Sequence, residues 1–496
     1  MDCMRVYTKR YGMKELYETQ GTGGNAVREG RLTMRNFKAM FGTQDMTVGK
    51  PLNNLASFAI PLLIGNLAQQ MYNTVDAVIV GRYVGDSALA AVGTSGPVLN
   101  LLFLLFMGIS TGAGILVSQY FGAHRTRDLN AAVGTCLTLT FIASVIIMII
   151  GPFIIGPLMT LLETPPDVYD MAVDYLTIVV LGIVGTGFYN IGSGVLRGLG
   201  DAFSPLLYLI VACFLNMVLD VVFVANFGMA TKGVALATIL AQAVSAALCL
   251  WRLTHMKKTL QLTPRTLIPE KNMMASTVRL GLPSGLTQAI FSMAAIVVQA
   301  LTNSFGTSVI ACSIVVMRVD GFAMMPNFTF GMAMTTFVGQ NVGAGRMDRV
   351  QEGVKEGLRM GLIIAVALVA AILLFGENLM RLFTETDEVV RLGVHMMQIL
   401  AVGYIAMAVT QSLSGVMRGA GDTMTPMWVS IVTTIVIRMP LAYGIAYFTR
   451  SEALPNGTPD SIFISLLISW IMGALLTVIF YRRGKWRKTG VIRDPA

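Results

Sequence analysis

The chain has 496 residues, 54% of them hydrophobic and 13% charged, with a formal net charge of +9. Soluble domains average roughly 25% charged residues, so this composition argues against an ordinary soluble domain and for a membrane protein. The Lys and Arg residues sit between apolar runs, which fits orientation in a bilayer better than nucleic-acid binding.

Residues 1–45 are polar, Gly-containing and basic, without the leading apolar core of a secretory signal peptide. A disordered N-terminal extension is expected there, and Met46 is a candidate original start. Apolar runs of about 20 residues, enough to cross a bilayer core, then recur. They fall at 52–80, 88–118, 130–156, 168–196, 203–225 and 233–253, and again at 276–303, 308–338, 351–375, 389–417, 425–448 and 460–481. The expectation is an all-α integral membrane protein with twelve transmembrane helices. Its parts are an N-lobe over 46–255, a cytoplasmic linker over 256–275, a C-lobe over 276–485 and a basic cytoplasmic tail over 486–496.

With these spans, one side of the membrane collects 29 Lys and Arg and the other 5, leaving Arg318 and Arg438 inside spans. The basic side holds both ends of the chain, so both termini are expected in the cytoplasm and the protein in the cell inner (plasma) membrane. Cys3 lies near the start, and Cys136, Cys213, Cys249 and Cys312 lie inside apolar runs. They show neither metal-ligand spacing nor a disulfide framework, so they read as small buried hydrophobes.

The two halves repeat. Residues 193–206 read SGVLRGLGDAFSPL and residues 414–427 read SGVMRGAGDTMTPM, agreeing at eight of fourteen positions with an offset of 221. The same offset aligns Gln119, Gly122, Ala123 and Arg125 with Gln340, Gly343, Ala344 and Arg346, and Gly85 with Gly306. Pro61 and Pro283 match at 222. A unit of six spans starts and ends on the same side, so its duplicate inserts the same way up. This predicts two parallel six-helix bundles related by an axis along the membrane normal, with a substrate cleft between them.

Three carboxylates fall inside apolar spans: Asp76, Asp220 and Asp320. Insertion scales charge about 2.5–3.5 kcal/mol for an ionised Asp at a helix centre, so such residues ask for a use. Asn216 and Asp220 are four residues apart and share one helix face. Their partners in the second half are Ile437 and Leu441, and Asp76 meets Val297. A scaffold requirement would be shared by both halves; an acidic pair in one half suggests an ion site confined to the N-lobe. Desolvation favours the protonated form of a carboxylate, which suits proton coupling. Carboxylate, amide and hydroxyl oxygens suit Na+ equally. Asp320 and Arg318, two residues apart, point to largely opposite faces, and each is expected to pair with a neighbouring helix or line a polar cavity. Arg438 is ambiguous in the same way. Pro61, Pro97, Pro283, Pro326 and Pro440 lie within spans, and a bend at Pro61 would alter the exposure of Asp76 four turns on. Most of the 33 Met residues read as lipid-facing or core.

Together the run from Pro61 to Gly85, the twice-used Gly-Ala-x-Arg and Ser-Gly-Val-x-Arg-Gly-x-Gly-Asp loops, and Asn216-x-x-x-Asp220 resemble the multidrug and toxic compound extrusion (MATE) family, in its DinF-like prokaryotic branch. The resemblance covers about residues 46–485. It implies two six-helix lobes forming a V and a non-enzymatic antiporter that exports cationic, amphiphilic small molecules in exchange for H+ or Na+, with no cofactor. It implies an ion-coupling site at Asp76, Asn216, Asp220, Tyr175 and Thr238, and a helix-bending role for Pro61. Gln69, Asn73, Arg318, Asp320, Gln288 and Gln411 are candidate cavity residues. The family's other main branch carries acidic residues on helices seven and ten; here those spans hold Gln288, Gln299, His395, Gln398 and Gln411 instead. A monomer is expected, with no nucleic-acid partner. The competing readings are a lipid-linked precursor flippase of the same superfamily, an ion channel, and an intramembrane serine protease built on Gly93-Thr94-Ser95-Gly96. The protease lacks a base: His124 and His255 lie in or beside loops, and His395 near the start of helix ten.

Overall fold

The computed structural model describes residues 42–83, 86–162, 164–452 and 454–492, with only the backbone described for 72–83, 86, 87, 89, 97 and 225. Expectations for residues 1–41, Cys3 and Gly85 lie outside these residues. In the first half α1 is Pro51–Tyr83, α2 Asp86–Gly122, α3 Thr126–Leu161, α4 Pro166–Leu181, α5 Ile183–Gly198, α6 Phe203–Asp220 and α7 Ala230–His255. In the second, α8 is Lys271–Asn303, α9 Thr307–Gly343, α10 Met347–Arg381, α11 Asp387–Gly419, α12 Met424–Ile431, α13 Met439–Phe448 and α14 Asp460–Arg483.

Among the described residues ten helices are long and apolar enough to cross a membrane, and the bent pair α4 and α5 makes an eleventh span. The remaining expected span is α1, equally long at 33 residues but diluted by Asn53, Asn54, Asn66, Gln69, Gln70 and Asn73. Three expected single helices depart from regular α-helix, the span over 203–225 by ending in a π-helical turn, Val221–Asn226. The span over 168–196 turns by 53° between α4 and α5. At the joint, a Cβ on Gly182 would stand 2.4 Å from Cγ2 of Ile239, so the missing side chain lets α7 close on the corner. The span over 425–448 widens into a π-helical stretch, Val432–Arg438, between α12 and α13. α1 continues through Pro61 without interruption. Cys136, Cys213, Cys249 and Cys312 are buried and unbridged, as their apolar settings predict.

The repeat governs where helices begin. Asp86 and Thr307, Thr126 and Met347, Pro166 and Asp387, and Phe203 and Met424 open matching helices, each pair 221 residues apart. The repeated loop motif is a helix cap. Gly200 (φ +84°) and Gly421 (φ +98°) turn the chain through the left-handed region, which glycine enters without a steric penalty. The next residue then caps the following helix: Asp201 accepts from the Ser204 amide (2.9 Å) and hydroxyl (2.7 Å). Asp422 accepts from the Thr425 amide (3.0 Å) and hydroxyl (2.7 Å) in the same way.

Among the described residues the first copy alone adds an ion pair, between Asp201, which is fully buried, and Arg252 at 3.2 Å. Removing Asp201 takes away a cap worth about 1 kcal/mol and also the pairing of Arg252, whose side chain is 28% exposed, whereas removing Asp422 takes away the cap alone. Asp201→Ala is therefore expected to destabilise the protein markedly more than Asp422→Ala. Thermal unfolding of the two variants in the same detergent checks this, and equal midpoints would refute it.

Each lobe lends its first helix to the other. Leu55, Phe58 and Leu62 of α1 share a core with Phe330, Met334 and Phe337 of α9, Val350 of α10 and Met417 of α11. Met273 and Leu280 of α8 share one with Ile115 and Leu116 of α2 and Cys136 and Leu137 of α3. The two seams differ in texture. α2 and α8 cross glycine on glycine: Gly108 and Gly112 face Gly281 and Gly285, and a Cβ on Gly281 would stand 2.3 Å from the Gly108 carbonyl oxygen. Such small-xxx-small pairs let helix backbones touch where no hydrophobic drive separates helix from lipid. α1 meets α9 through side chains instead, the shared apolar core and one polar contact, Asn66 Nδ2 donating to Thr329 Oγ1 at 2.9 Å.

Candidate functional site

In the first lobe, α6 packs on α1 and α7, and α4 packs on α2 and α7, so the helices that carry the expected site residues surround one interior. Asn216 (1% exposed) and Asp220 (0% exposed) lie on the buried face of α6, while Ile210, Val211, Phe214 and Val218 cover its open apolar face. Asp220 is the last α-helical residue before the π-helical turn Val221–Asn226. A π-turn frees local backbone groups from regular pairing and recurs at functional sites.

Tyr175 of α4 is buried in a cluster with Val224, one turn beyond Asp220, and with Val234, one turn before Thr238 of α7. Tyr175, Asp220 and Thr238 therefore border one packed layer of the lobe. Thr238 also bonds back to the Val234 carbonyl at 3.0 Å. Asp76 and Asn73 lie on α1, with their side chains outside the described residues. Gln69 is exposed on α1, and Pro61 is buried within it.

The second lobe has a different polar centre. Arg318 is exposed and Asp320 is largely buried, on opposite sides of α9 as their spacing predicts. Tyr404 of α11 and Arg438 at the end of the π-helical stretch are the electrostatic neighbours of Asp320. Asp320 Oδ1, the Tyr404 hydroxyl and Arg438 Nε are all buried, and the Tyr404 hydroxyl faces the Asp320 carboxylate within interaction reach. Sequence reasoning weighed Asp320 and Arg438 separately and missed Tyr404; its lone hydroxyl among apolar residues gave no signal that it faced them. Of the other polar residues in this lobe, Gln411 is buried and Gln288 exposed. Gln299 bonds Asn303 at 2.8 Å, and His395 meets Asp460 at 3.2 Å.

At the end of the bundle where residues 43–50 and 486–492 lie, the terminal end of the described chain, the lobes touch backbone to backbone. A Cβ on Gly122 would stand 1.9 Å from the Gln340 carbonyl oxygen, and a Cβ on Gly343 1.9 Å from that of Gln119. The cross-lobe hydrogen bond from Gln119 Nε2 reaches the Gly419 carbonyl (2.8 Å), and that from Gln340 Nε2 reaches the Gly198 carbonyl (3.1 Å). The described contact between lobes thus runs from the terminal end to mid-bundle, at Gly108, Gly281, Asn66 and Thr329. Gln119 and Gln340 were visible in the sequence as a repeat pair, but not as a contact.

The full-length likenesses agree with this arrangement. The probable multidrug resistance protein YoeA of Bacillus subtilis (strain 168) is 28% identical over 460 residues, 91% of this chain and 97% of the relative. The probable multidrug resistance protein NorM of Thermotoga maritima is 24% identical over 442 residues, 88% of this chain and 94% of its own length. Among solved structures, a MOP superfamily transporter from Pyrococcus furiosus Vc1 superposes with a TM-score of 0.82 at 24% identity, covering 90% of this chain and 98% of that one. A MATE in its bent conformation superposes with a TM-score of 0.83 at 24% identity, covering 90% and 98%. The MatE family model matches twice, over residues 61–222 and 283–444, once in each lobe and 222 residues apart. This multi-pass membrane chain, a duplicated bundle and not an enzyme, belongs to the MATE family of transporters.

Proposed function

We propose that this protein is a secondary antiporter that exports cationic or amphiphilic small molecules in exchange for H+ or Na+ by alternating access. The observation that carries the reading is the asymmetry of a duplicated fold. Asn216 and Asp220 are buried in the first lobe, where the second lobe has Ile437 and Leu441. A carboxylate in a dry bundle is costly while ionised and cheap once a proton or cation neutralises it. Binding of the ion then favours the closed lobe and its loss the hydrated one, so the ion gradient biases the lobe between two states. Asp76, Tyr175 and Thr238 are assigned to the same ion site, with Na+ at Asp76, Asn216 and Asp220 as the metal-ion version.

We place the protein in the DinF-like branch, because residues 276–303 and 389–417 contain no Asp or Glu. We orient both termini to the cytoplasm from the 29 to 5 division of Lys and Arg, and take the monomer as the working unit. The relatives' names as multidrug resistance proteins support drug-like substrates.

The test is efflux of a cationic dye from proteoliposomes under an imposed proton gradient or an imposed sodium gradient. One gradient is expected to drive accumulation against the dye's own gradient. Dye movement that is purely downhill and indifferent to both ions would identify a channel and overturn the proposal.

A further inference from the structure

Two short segments close the terminal end of the molecule, the second beginning in a single 3₁₀ turn, Lys485–Lys488. The first, residues 43–50, was divided in the sequence reading between the extension and the first lobe. The second, residues 486–492, belongs to the stretch expected as a basic cytoplasmic tail over 486–496. Both are packed: Met46 is fully buried and Trp486 is 1% exposed, in one shared cluster. Each passes the glycine of its own lobe's cap motif. The Gln44 carbonyl oxygen lies 2.2 Å from where a Cβ on Gly200 would be, and the Thr489 carbonyl oxygen lies 2.6 Å from that of Gly421.

Each then ends on the glutamine of the opposite lobe. The Met46 amide donates to Gln340 Oε1 at 2.8 Å, and the Val491 amide donates to Gln119 Oε1 at 2.8 Å. Both glutamine side chains are fully buried. A buried amide whose oxygen is already occupied has one way round, which leaves its NH2 to donate elsewhere. Here it donates across the lobes, to Gly198 and Gly419, the last residues of α5 and α11. Terminal helix carbonyls lack intrahelical partners, so these are natural acceptors. The Met46 carbonyl is gripped as well, by Arg349 (3.1 Å), Asn341 (3.2 Å) and Asn54 (3.3 Å).

Duplication accounts for the two glutamines and the two glycine acceptors. It does not account for the straps, which come from opposite ends of the chain and share no sequence, yet supply the same amide to the same side-chain oxygen. We propose that Gln119 and Gln340 are gating residues of the transport cycle: a two-pronged latch that holds the lobes together at the terminal end, with each glutamine oriented by a terminal strap. This rests on the alternating-access reading, in which that end must open in one phase of the cycle. The straps are then positioning elements, and displacing either one frees a glutamine to rotate and releases one prong.

The experiment measures the distance between spin labels at Arg127→Cys and Asp348→Cys, two exposed sites at the terminal ends of α3 and α10. The background is full-length protein with Cys3→Ser, the cysteines at 136, 213, 249 and 312 being buried. Gln119→Leu with Gln340→Leu is expected to add a longer-distance population, raising the open fraction about tenfold or more, since each lost hydrogen bond is worth about a fivefold change. Val491→Pro removes one strap N–H and leaves both glutamines and both acceptor carbonyls in place, and Val491→Ala serves as the control for its packing against the first lobe's core. Val491→Pro is expected to shift the distribution the way Gln119→Leu does, and to add little on top of it, because both break the same prong. Should the double Leu variant fail to fold, Val491→Pro decides. An unchanged distribution in Val491→Pro, or independent addition of Val491→Pro and Gln119→Leu, would overturn the latch. Loss of dye transport in the parent would instead count against the antiporter reading and leave these distances unaffected.

Discussion

Asp220→Asn is expected to reduce dye export in proteoliposomes to below about one tenth of the parent rate, with unchanged expression and thermal midpoint. The amide keeps the size of the carboxylate, exchanges one acceptor oxygen for an NH2 donor, and can neither gain nor lose a charge. A residue that only packs the lobe would tolerate this exchange, because a buried neutral amide is cheaper to hold in a bilayer than an ionised acid. A residue that couples transport to an ion would not, because its protonation or cation binding is the event that distinguishes the two conformations. Asp76→Asn is expected to act in the same direction. The comparison separates the two roles cleanly: full export with retained folding by Asp220→Asn would remove the ion-coupling assignment from α6 altogether.

Gly281→Ala is expected to destabilise the protein by about 1–3 kcal/mol, the usual cost of overpacking a tight interior. The added methyl would stand 2.3 Å from the Gly108 carbonyl oxygen, and a backbone atom cannot rotate aside as a side-chain end can. The neighbouring Gly285→Ala is expected to cost less, since its nearest atom, the Leu104 carbonyl oxygen, is 3.3 Å away. Thermal unfolding of the two variants in detergent tests the ranking, and a Gly281→Ala protein as stable as Gly285→Ala would refute it. The asymmetry of the two seams has a consequence for transport. α8 crosses α2 backbone to backbone through glycines, whereas α1, which carries Asp76 and Pro61, meets α9 only through side chains, the shared apolar core and the Asn66–Thr329 bond. The helix that holds the ion-site acid is thus the less tightly seamed of the two.

How far the fold was legible depended on the kind of signal. Apolar runs of membrane length marked where helices cross, because the bilayer imposes its thickness on sequence. The offset of 221 foretold the matching helix starts, since duplicated chains keep their caps: the same Gly-Asp pairs that betray the repeat turn the backbone at Gly200 and Gly421 and cap α6 and α12. The asymmetry of Asn216 and Asp220 against Ile437 and Leu441 was also readable, and the burial of the first pair agrees with the cost argument that singled it out. The corner at Gly182 was not readable, because one glycine in an apolar run looks like many others until Ile239 is seen filling its place.

The sequence by itself determined the environment, the duplication and that Asn216 and Asp220 have apolar counterparts in the second half. These properties are local or self-comparative: hydropathy reports the solvent around each helix, and a repeat reports its own copy. Tertiary structure alone decided which helices exchange between lobes, that Tyr404 joins Asp320 and Arg438, and that Gln119 and Gln340 reach across the molecule to Gly419 and Gly198. It also decided that Met46 and Val491, single residues without periodic context, end on those glutamines. The physical reason is that hydrophobic burial has no direction. It tells a residue to leave water but not which neighbour to meet, and the hydrogen bonds that choose partners become visible only once two distant backbones touch.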